Sequence, residues 1–274
     1  MTEPGSRSTG MTVSDALDAA ATAIEAAGAS TPRLDAEVLV ADALGIDRAG
    51  LFMDPDLEVP PAAARVLGEN VRRRVQREPV AYILGRRGFR YLELMVDPRA
   101  IIPRPETELL VELALDLPEG ARVHDVGTGA GSIALALLHE RPDLRVTASE
   151  PYEPAAAVAR ENAERLGLPL EVSSDFGLPP GDYDLVVANL PYVPEADWPH
   201  MQPEIRGYEP REAFVSGPDG LDAIRELIEQ AQPGTRLALE HGAEQAGAVS
   251  ELLDDAETYP DLAHWERITV GRVP

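Results

Sequence analysis

The sequence predicts an α/β protein: a doubly wound, mostly parallel sheet, preceded by a small helical domain and joined to it by a β-hairpin. Three observations predict this. Apolar positions in the first third recur at helical spacing. From Ala121 onward, short apolar runs alternate with helical patterns, the order that builds a parallel sheet. Between these regions, near residues 78–98, the pattern breaks into a short, imperfect alternation of period two.

The elements follow in order. Thr12 or Ser14 can cap a first helix whose apolar positions are Val13, Leu17, Ala20, Ala21 and Ile24, ending at Gly28. A second helix runs from Leu34 to Leu44 and stops at Gly45. Pro60-Pro61 opens a third through Ala64, Leu67, Val71 and Val75, with Arg72, Arg73, Arg74 and Arg77 expected on its outer face. Phe89, Tyr91, Leu92, Leu94 and Val96 suggest a hairpin within Gly88 to Asp97. Two prolines around Arg104 stiffen the loop that follows. Then come strand RVHDVG, a helix from Gly131 to Glu140, strand LRVTASE, a helix from Pro154 to Leu166, and strands PLEVSS, YDLVVANL, TRLALEHG and RITVGRV. The division expected is 1–84 helical domain, 85–104 hairpin and linker, and 105–274 sheet domain.

Composition narrows the function. The 274 residues are 44% hydrophobic, enough for a real core. No cysteine is present, which excludes disulfides, thiolate metal sites and cysteine nucleophiles. All 24 basic residues are arginine, so a Schiff-base lysine and a phosphate-loop lysine are excluded too. Against 48 acidic residues this leaves a net charge of −24, which disfavours broad nucleic-acid binding. No apolar run reaches the ~20 residues of a membrane helix, and the opening MTEPGSRSTG lacks a signal-peptide core. A cytoplasmic, monomeric protein without a metal site is the expectation.

Two motifs carry chemistry. Asp125-Val126-Gly127-Thr128-Gly129-Ala130-Gly131 follows a strand and opens a helix. Its spacing is GxGxG, which is neither the dinucleotide pattern nor a phosphate loop, and it suits a ligand without a pyrophosphate. Glu150 ends the next strand, where an acid can accept hydrogen bonds from a ribose diol. Asp125 can attract an ammonium. A ribose diol plus an ammonium describes S-adenosylmethionine. The second motif, Asn189-Leu190-Pro191-Tyr192, sits at the carboxyl end of a strand. The Asn189 side-chain oxygen and the Leu190 carbonyl are two acceptors beside one another, suited to an NH₂ group whose lone pair faces a methyl donor. Pro191 holds Leu190 extended, and Tyr192 offers an aromatic wall.

With these motifs, the chain resembles the HemK/PrmC family of release-factor glutamine methyltransferases along most of its length. IIPRPETE at 101–108, SDF at 174–176, YEPREAFVSGPDGL at 208–221, LEHG at 239–242 and TVGR at 269–272 carry the resemblance. It implies a class I, Rossmann-like methyltransferase sheet with a reversed last strand. A five-helix-type N-terminal domain would recognise the substrate. The substrate implied is the glutamine of a release factor's Gly-Gly-Gln loop, with S-adenosylhomocysteine as the second product. It places Asp125, Gly127, Thr128, Gly129, Ala130, Gly131, Glu150 and Phe176 at the cofactor, and Asn189 at both cofactor and substrate. It places Pro103, Arg104, Pro105 and Glu106, with Leu190, Pro191 and Tyr192, around the glutamine. Three residues depart from the family pattern: Leu190 stands for proline, Glu150 for aspartate and Phe176 for tryptophan. NLPY also occurs in ribosomal-RNA dimethyladenosine transferases, so a base amine stays open as the acceptor. A non-catalytic binding protein on this fold is the third reading.

Overall fold

The computed structural model describes residues 10–274; most of the opening MTEPGSRSTG segment lies outside that range. The chain divides into two compact units, 1–84 and 85–274.

The first unit is helical: α1 (Val13–Ala26), α2 (Pro32–Leu44), α3 (Gly50–Met53), α4 (Pro61–Val75) and α5 (Val80–Leu84). Thr12 caps α1 in a capping box with Asp15. Gly45 ends α2 in the left-handed conformation, which only glycine adopts without cost. The core of this unit gathers Val13, Leu17, Ile24, Leu39, Val40 and Leu67.

The arginine run on α4 is an outer face only in part: Arg72 is exposed and Arg73 half-buried. Arg74 is 4% exposed and donates to Asp35 at 2.7 Å. Arg73 pairs with Glu78, Arg72 with Glu69, and Arg77 donates to the carbonyls of Ala27 and Gly28. The buried positions of α4 are Ala63, Leu67, Asn70 and Arg74, a 4-3-4 spacing that runs straight down one stripe. The expectation of an outer basic face is corrected for Arg74, which lies in the interior of the helical unit.

The second unit opens with a hairpin of β1 (Arg86–Phe89) and β2 (Leu92–Met95). Arg90 takes a positive φ at the tight turn, where its side chain pairs with Glu112 and Glu140. There follow α6 (Glu108–Leu115), β3 (Arg122–Val126), α7 (Ser132–Glu140), β4 (Arg145–Ser149), α8 (Glu153–Leu166), β5 (Glu171–Ser173), β6 (Leu185–Ala188), α9 (Pro203–Tyr208), α10 (Asp222–Gln230), β7 (Arg236–Glu240), α11 (Ala246–Ser250), β8 (Asp254–Pro260) and β9 (Glu266–Arg272). The seven-stranded sheet has order β5-β4-β3-β6-β7-β9-β8. It is parallel from β5 to β7, and β9 runs antiparallel between β7 and β8.

Both faces of the sheet are covered. Along β6, Leu185 and Val187 join one core cluster and Val186 and Ala188 another, as alternation of side chains requires. The order reverses between β3 and β6, since β3 leads outward to β4 and β5, and β6 to β7. In such sheets a crevice opens above the carboxyl ends of the two strands at the switch point. The glycine turn follows β3 and Asn189 follows β6. The sequence reading omitted β8: DDAETYP is polar and mostly exposed, and it forms a strand by pairing with β9 at the sheet edge.

Candidate active site

Gly127, Gly129 and Gly131 all have positive φ, at 70°, 57° and 86°. This explains a glycine at every second position. The three are not equivalent. A Cβ on Gly131 would lie 2.8 Å from Leu135 Cδ1, so that glycine serves packing. A Cβ on Gly129 would meet nothing closer than Ile101 at 3.8 Å. The space beside Gly129 therefore belongs to a cavity of about 210 Å³.

That cavity is walled by Gly127, Gly129, Glu150, Tyr152, Phe176, Asn189, Leu190 and Pro191, with Arg99 to Ile101 on another side. Glu150 is 8% exposed; Oε2 accepts the Gly129 N–H and Oε1 the Tyr152 N–H, both at 2.9 Å. Burial raises its pKa, and the two backbone donors oppose that rise. Each oxygen keeps a lone pair for a further donor.

Asp125 is fully buried and lines neither this cavity nor its neighbour. Its Oδ2 accepts the Thr128 hydroxyl at 2.6 Å and the Ala134 N–H at 3.2 Å, and its Oδ1 has no hydrogen-bond partner. Burial pushes its pKa to about 7, and nearby Glu150 adds to the rise. The carboxylate ties the glycine turn to the start of α7.

A smaller space of about 20 Å³ lies between the glycine turn and the Pro103–Arg104 segment, with Thr128, Ala130 and Thr107 also on its wall. Ile101, Gly127, Gly129 and Asn189 line both spaces, and of these four Asn189 alone has a polar side chain. Asn189 Nδ2 donates to the Thr107 hydroxyl at 3.0 Å. Leu190 is 3% exposed, and its side chain packs under Gly127, where a Cβ would come within 3.0 Å of it. Tyr192 turns away from the large cavity: its hydroxyl lies 3.5 Å from Glu240 Oε1. Burial pushes its pKa up. Pro105 and Glu106 line a third pocket, beside residues 260–263.

The structure adds supports that the sequence reading did not assign. Glu209 is 6% exposed; it accepts the Ile102 N–H at 3.0 Å and the Arg104 guanidinium at 2.5 Å. The YEPR segment thereby holds the segment that precedes Pro105. Val193 and Ser216 exchange backbone hydrogen bonds with the Phe214 and Val193 carbonyls, so the same motif also braces the strand end carrying Asn189. Buried Asn162 bonds to both backbone groups of Met95 and to the Ala130 carbonyl, joining hairpin and glycine turn. His241 donates Nδ1–H to the Gly242 carbonyl and accepts from Thr269, a structural role. Glu209 and His241 lie in quoted motifs and Asn162 in none, and nothing in the sequence signalled their partners, which are mostly distant along the chain.

The fold and the site define an α/β S-adenosylmethionine-type methyltransferase. The family described as methyltransferase small domain matches residues 105–200, and the one described as PrmC N-terminal domain matches 15–85. The hMettl16 catalytic domain, solved in complex with MAT2A 3'UTR hairpin 6, superposes with a TM-score of 0.52 at 15% identity, over 65% of this chain and 73% of that one. This is a likeness of fold. The sequence relatives are much nearer. The release factor glutamine methyltransferase of Xylella fastidiosa is 42% identical, covering 88% of this chain and 94% of its own. That of Burkholderia pseudomallei is 44% identical, covering 88% and 92%. The chain belongs to the release factor glutamine methyltransferase family.

Proposed function

We propose that the protein transfers a methyl group from S-adenosylmethionine to the side-chain amide nitrogen of the glutamine in the Gly-Gly-Gln loop of peptide chain release factors. The residues present fit that cofactor. Gly129 leaves its Cβ space to a ligand, Glu150 retains acceptor capacity on the cavity wall, and Phe176 supplies an apolar face. When bound, the cofactor supplies an electrophilic methyl group on a sulfonium.

One observation carries the reading: Asn189 lines both the large cavity and the small space under Pro103 and Arg104. Of the four residues shared by the two it alone brings a hydrogen-bonding side chain to the place where donor and acceptor would meet. An amide nitrogen is a poor nucleophile because its lone pair is delocalised. The task of Asn189 and the Leu190 carbonyl is to hold the NH₂ group by its hydrogens, leaving the lone pair free. Correct placement alone is worth ~7–11 kcal/mol in favourable cases. These acceptors also favour the nitrogen as it becomes positive in the transition state. The helical N-terminal unit is the part we assign to recognition of the release factor.

The test offers labelled S-adenosylmethionine with an intact release factor, with the same factor carrying alanine at the loop glutamine, and with ribosomal RNA. The reading requires label on the first alone. Label on RNA, or on the alanine-bearing factor, would sink it.

A further inference from the structure

The segment that carries Phe176 is held by side chains rather than by its own backbone. Residues 174–184 join β5 to β6 and form neither helix nor strand. Among the described residues, no backbone–backbone hydrogen bond holds residues 174–183. Two hydroxyls fasten the segment instead. Ser149, the fully buried last residue of β4, donates its Oγ–H to the Gly177 carbonyl at 2.9 Å. Tyr183 donates to the Pro179 carbonyl at 3.0 Å. Phe176, the residue before Gly177, lines the large cavity and does not line the small acceptor space.

Both anchors meet at His124, a fully buried residue of β3 that the proposed reaction has not used. His124 pairs in register with Thr147 of β4, so Thr147 and Ser149 lie on the same face of the sheet as its ring. Nδ1 is 2.8 Å from the Thr147 hydroxyl and Nε2 is 3.1 Å from the Ser149 hydroxyl. The ring also packs on Tyr183, with centroids 5.4 Å apart. The donor inventory sets the direction of each bond. A carbonyl only accepts, so the single Ser149 proton goes to Gly177. Toward His124 the serine then offers a lone pair, and Nε2 must carry the hydrogen. Burial pushes the His124 pKa down to about 4, so the ring is neutral near pH 7 and Nδ1 accepts from Thr147. The other tautomer would make Nε2 an acceptor and draw the serine proton away from Gly177.

We propose that Ser149 and Tyr183 are positioning residues for the cofactor: they fasten residues 176–179 so that Phe176 stands as a fixed wall, and His124, held as its Nε2–H tautomer, braces both. This rests on the assignment of the large cavity to S-adenosylmethionine. The contacts tie β3 and β4, which lead into the glycine turn and Glu150, to a further wall of the same cavity.

The test uses the full chain and measures three quantities: S-adenosylmethionine affinity by calorimetry, turnover on a release factor at saturating cofactor, and the protonation of the His124 ring nitrogens by nitrogen NMR. Ser149→Ala and Tyr183→Phe should each weaken the cofactor about three- to tenfold, as expected for one hydrogen bond that orders a binding segment. Turnover at saturation should stay within about twofold, because the segment borders the cofactor and not the acceptor. In a Phe176→Ala background each substitution should cost less than about twofold in affinity, because both act through that ring. The NMR spectrum should show a hydrogen on Nε2 and none on Nδ1. Unchanged affinity in either variant, losses that persist without Phe176, turnover that falls while affinity holds, or a hydrogen on Nδ1 in place of Nε2 would each overturn the proposal. Phe176→Ala that binds the cofactor as tightly as wild type would instead overturn the cavity assignment, and the anchors with it.

Discussion

At the scale of single residues, the site places glycine and carboxylate where each has a cost. Gly129→Val must hold a β-branched residue at a φ of 57° and fill ligand space. It should weaken S-adenosylmethionine at least about tenfold, or ~1.4 kcal/mol, by calorimetry on folded protein; unchanged affinity would refute the cofactor site. Asp125 shows the opposite economy. Its pKa rises from 3.8 to about 7 because it is buried. The fold therefore favours the protonated form. Its contribution to stability is greatest below the unfolded value, declines as pH rises through the folded value, and is flat beyond. At about 1.36 kcal/mol per pKa unit, the ceiling on that loss is roughly 4 kcal/mol. Asp125→Asn should thus raise the melting temperature more at pH 8 than at pH 4. An equal effect at both would show that Asp125 is not held neutral. Glu240 is likewise raised to about 7, by burial first; Glu106 pushes further, and Arg267 and the Thr107 and Tyr192 hydroxyls oppose.

At the scale of elements, legibility followed distance along the chain. The glycine turn and NLPY were readable because each is a local device: a strand end, a turn and a helix start within a few residues. Phe176 and Glu150 line the same cavity as Gly129. The partners that hold the motifs were not readable. Thr107 meets Asn189 across 82 residues and Glu209 meets Ile102 across 107. Arg74 is instructive, because a signal was present: it lies seven residues after Leu67, on the buried stripe of α4. Its charge outweighed that spacing in the sequence reading. β8 gave no signal, being a strand made by its neighbour. Leu190 also gains a second role. Its carbonyl serves the proposed chemistry while its side chain fills the space under Gly127. Leu190→Pro should therefore keep turnover within about tenfold yet lower stability by ~1–3 kcal/mol in denaturant titration. Asn189→Ala should lose on the order of 10²–10³ in turnover. Equal turnover in the two variants would mean the tetrapeptide works differently. Glu209→Ala strips acceptors from the Ile102 N–H and Arg104, so its main effect should be a raised KM for the release factor.

At the scale of the whole molecule, charge and division of labour dominate. A net charge of −24 implies self-repulsion in the compact state. Many arginines are already engaged, such as Arg74 with Asp35 and Arg104 with Glu209. Added salt should raise the melting temperature, because it screens the surplus negative charge. The sheet unit carries every residue of the proposed cofactor and transfer site. A chain beginning at Gly85, if it folds, should bind cofactor and fail to methylate an intact release factor. The most direct test of the account is mass spectrometry of a release factor incubated with the wild-type protein and S-adenosylmethionine. The account predicts one added methyl group, on the side-chain nitrogen of the Gly-Gly-Gln glutamine, and none when Asn189→Ala replaces wild type for the same interval. A methyl group on any other residue, or full modification of that glutamine by Asn189→Ala, would contradict it.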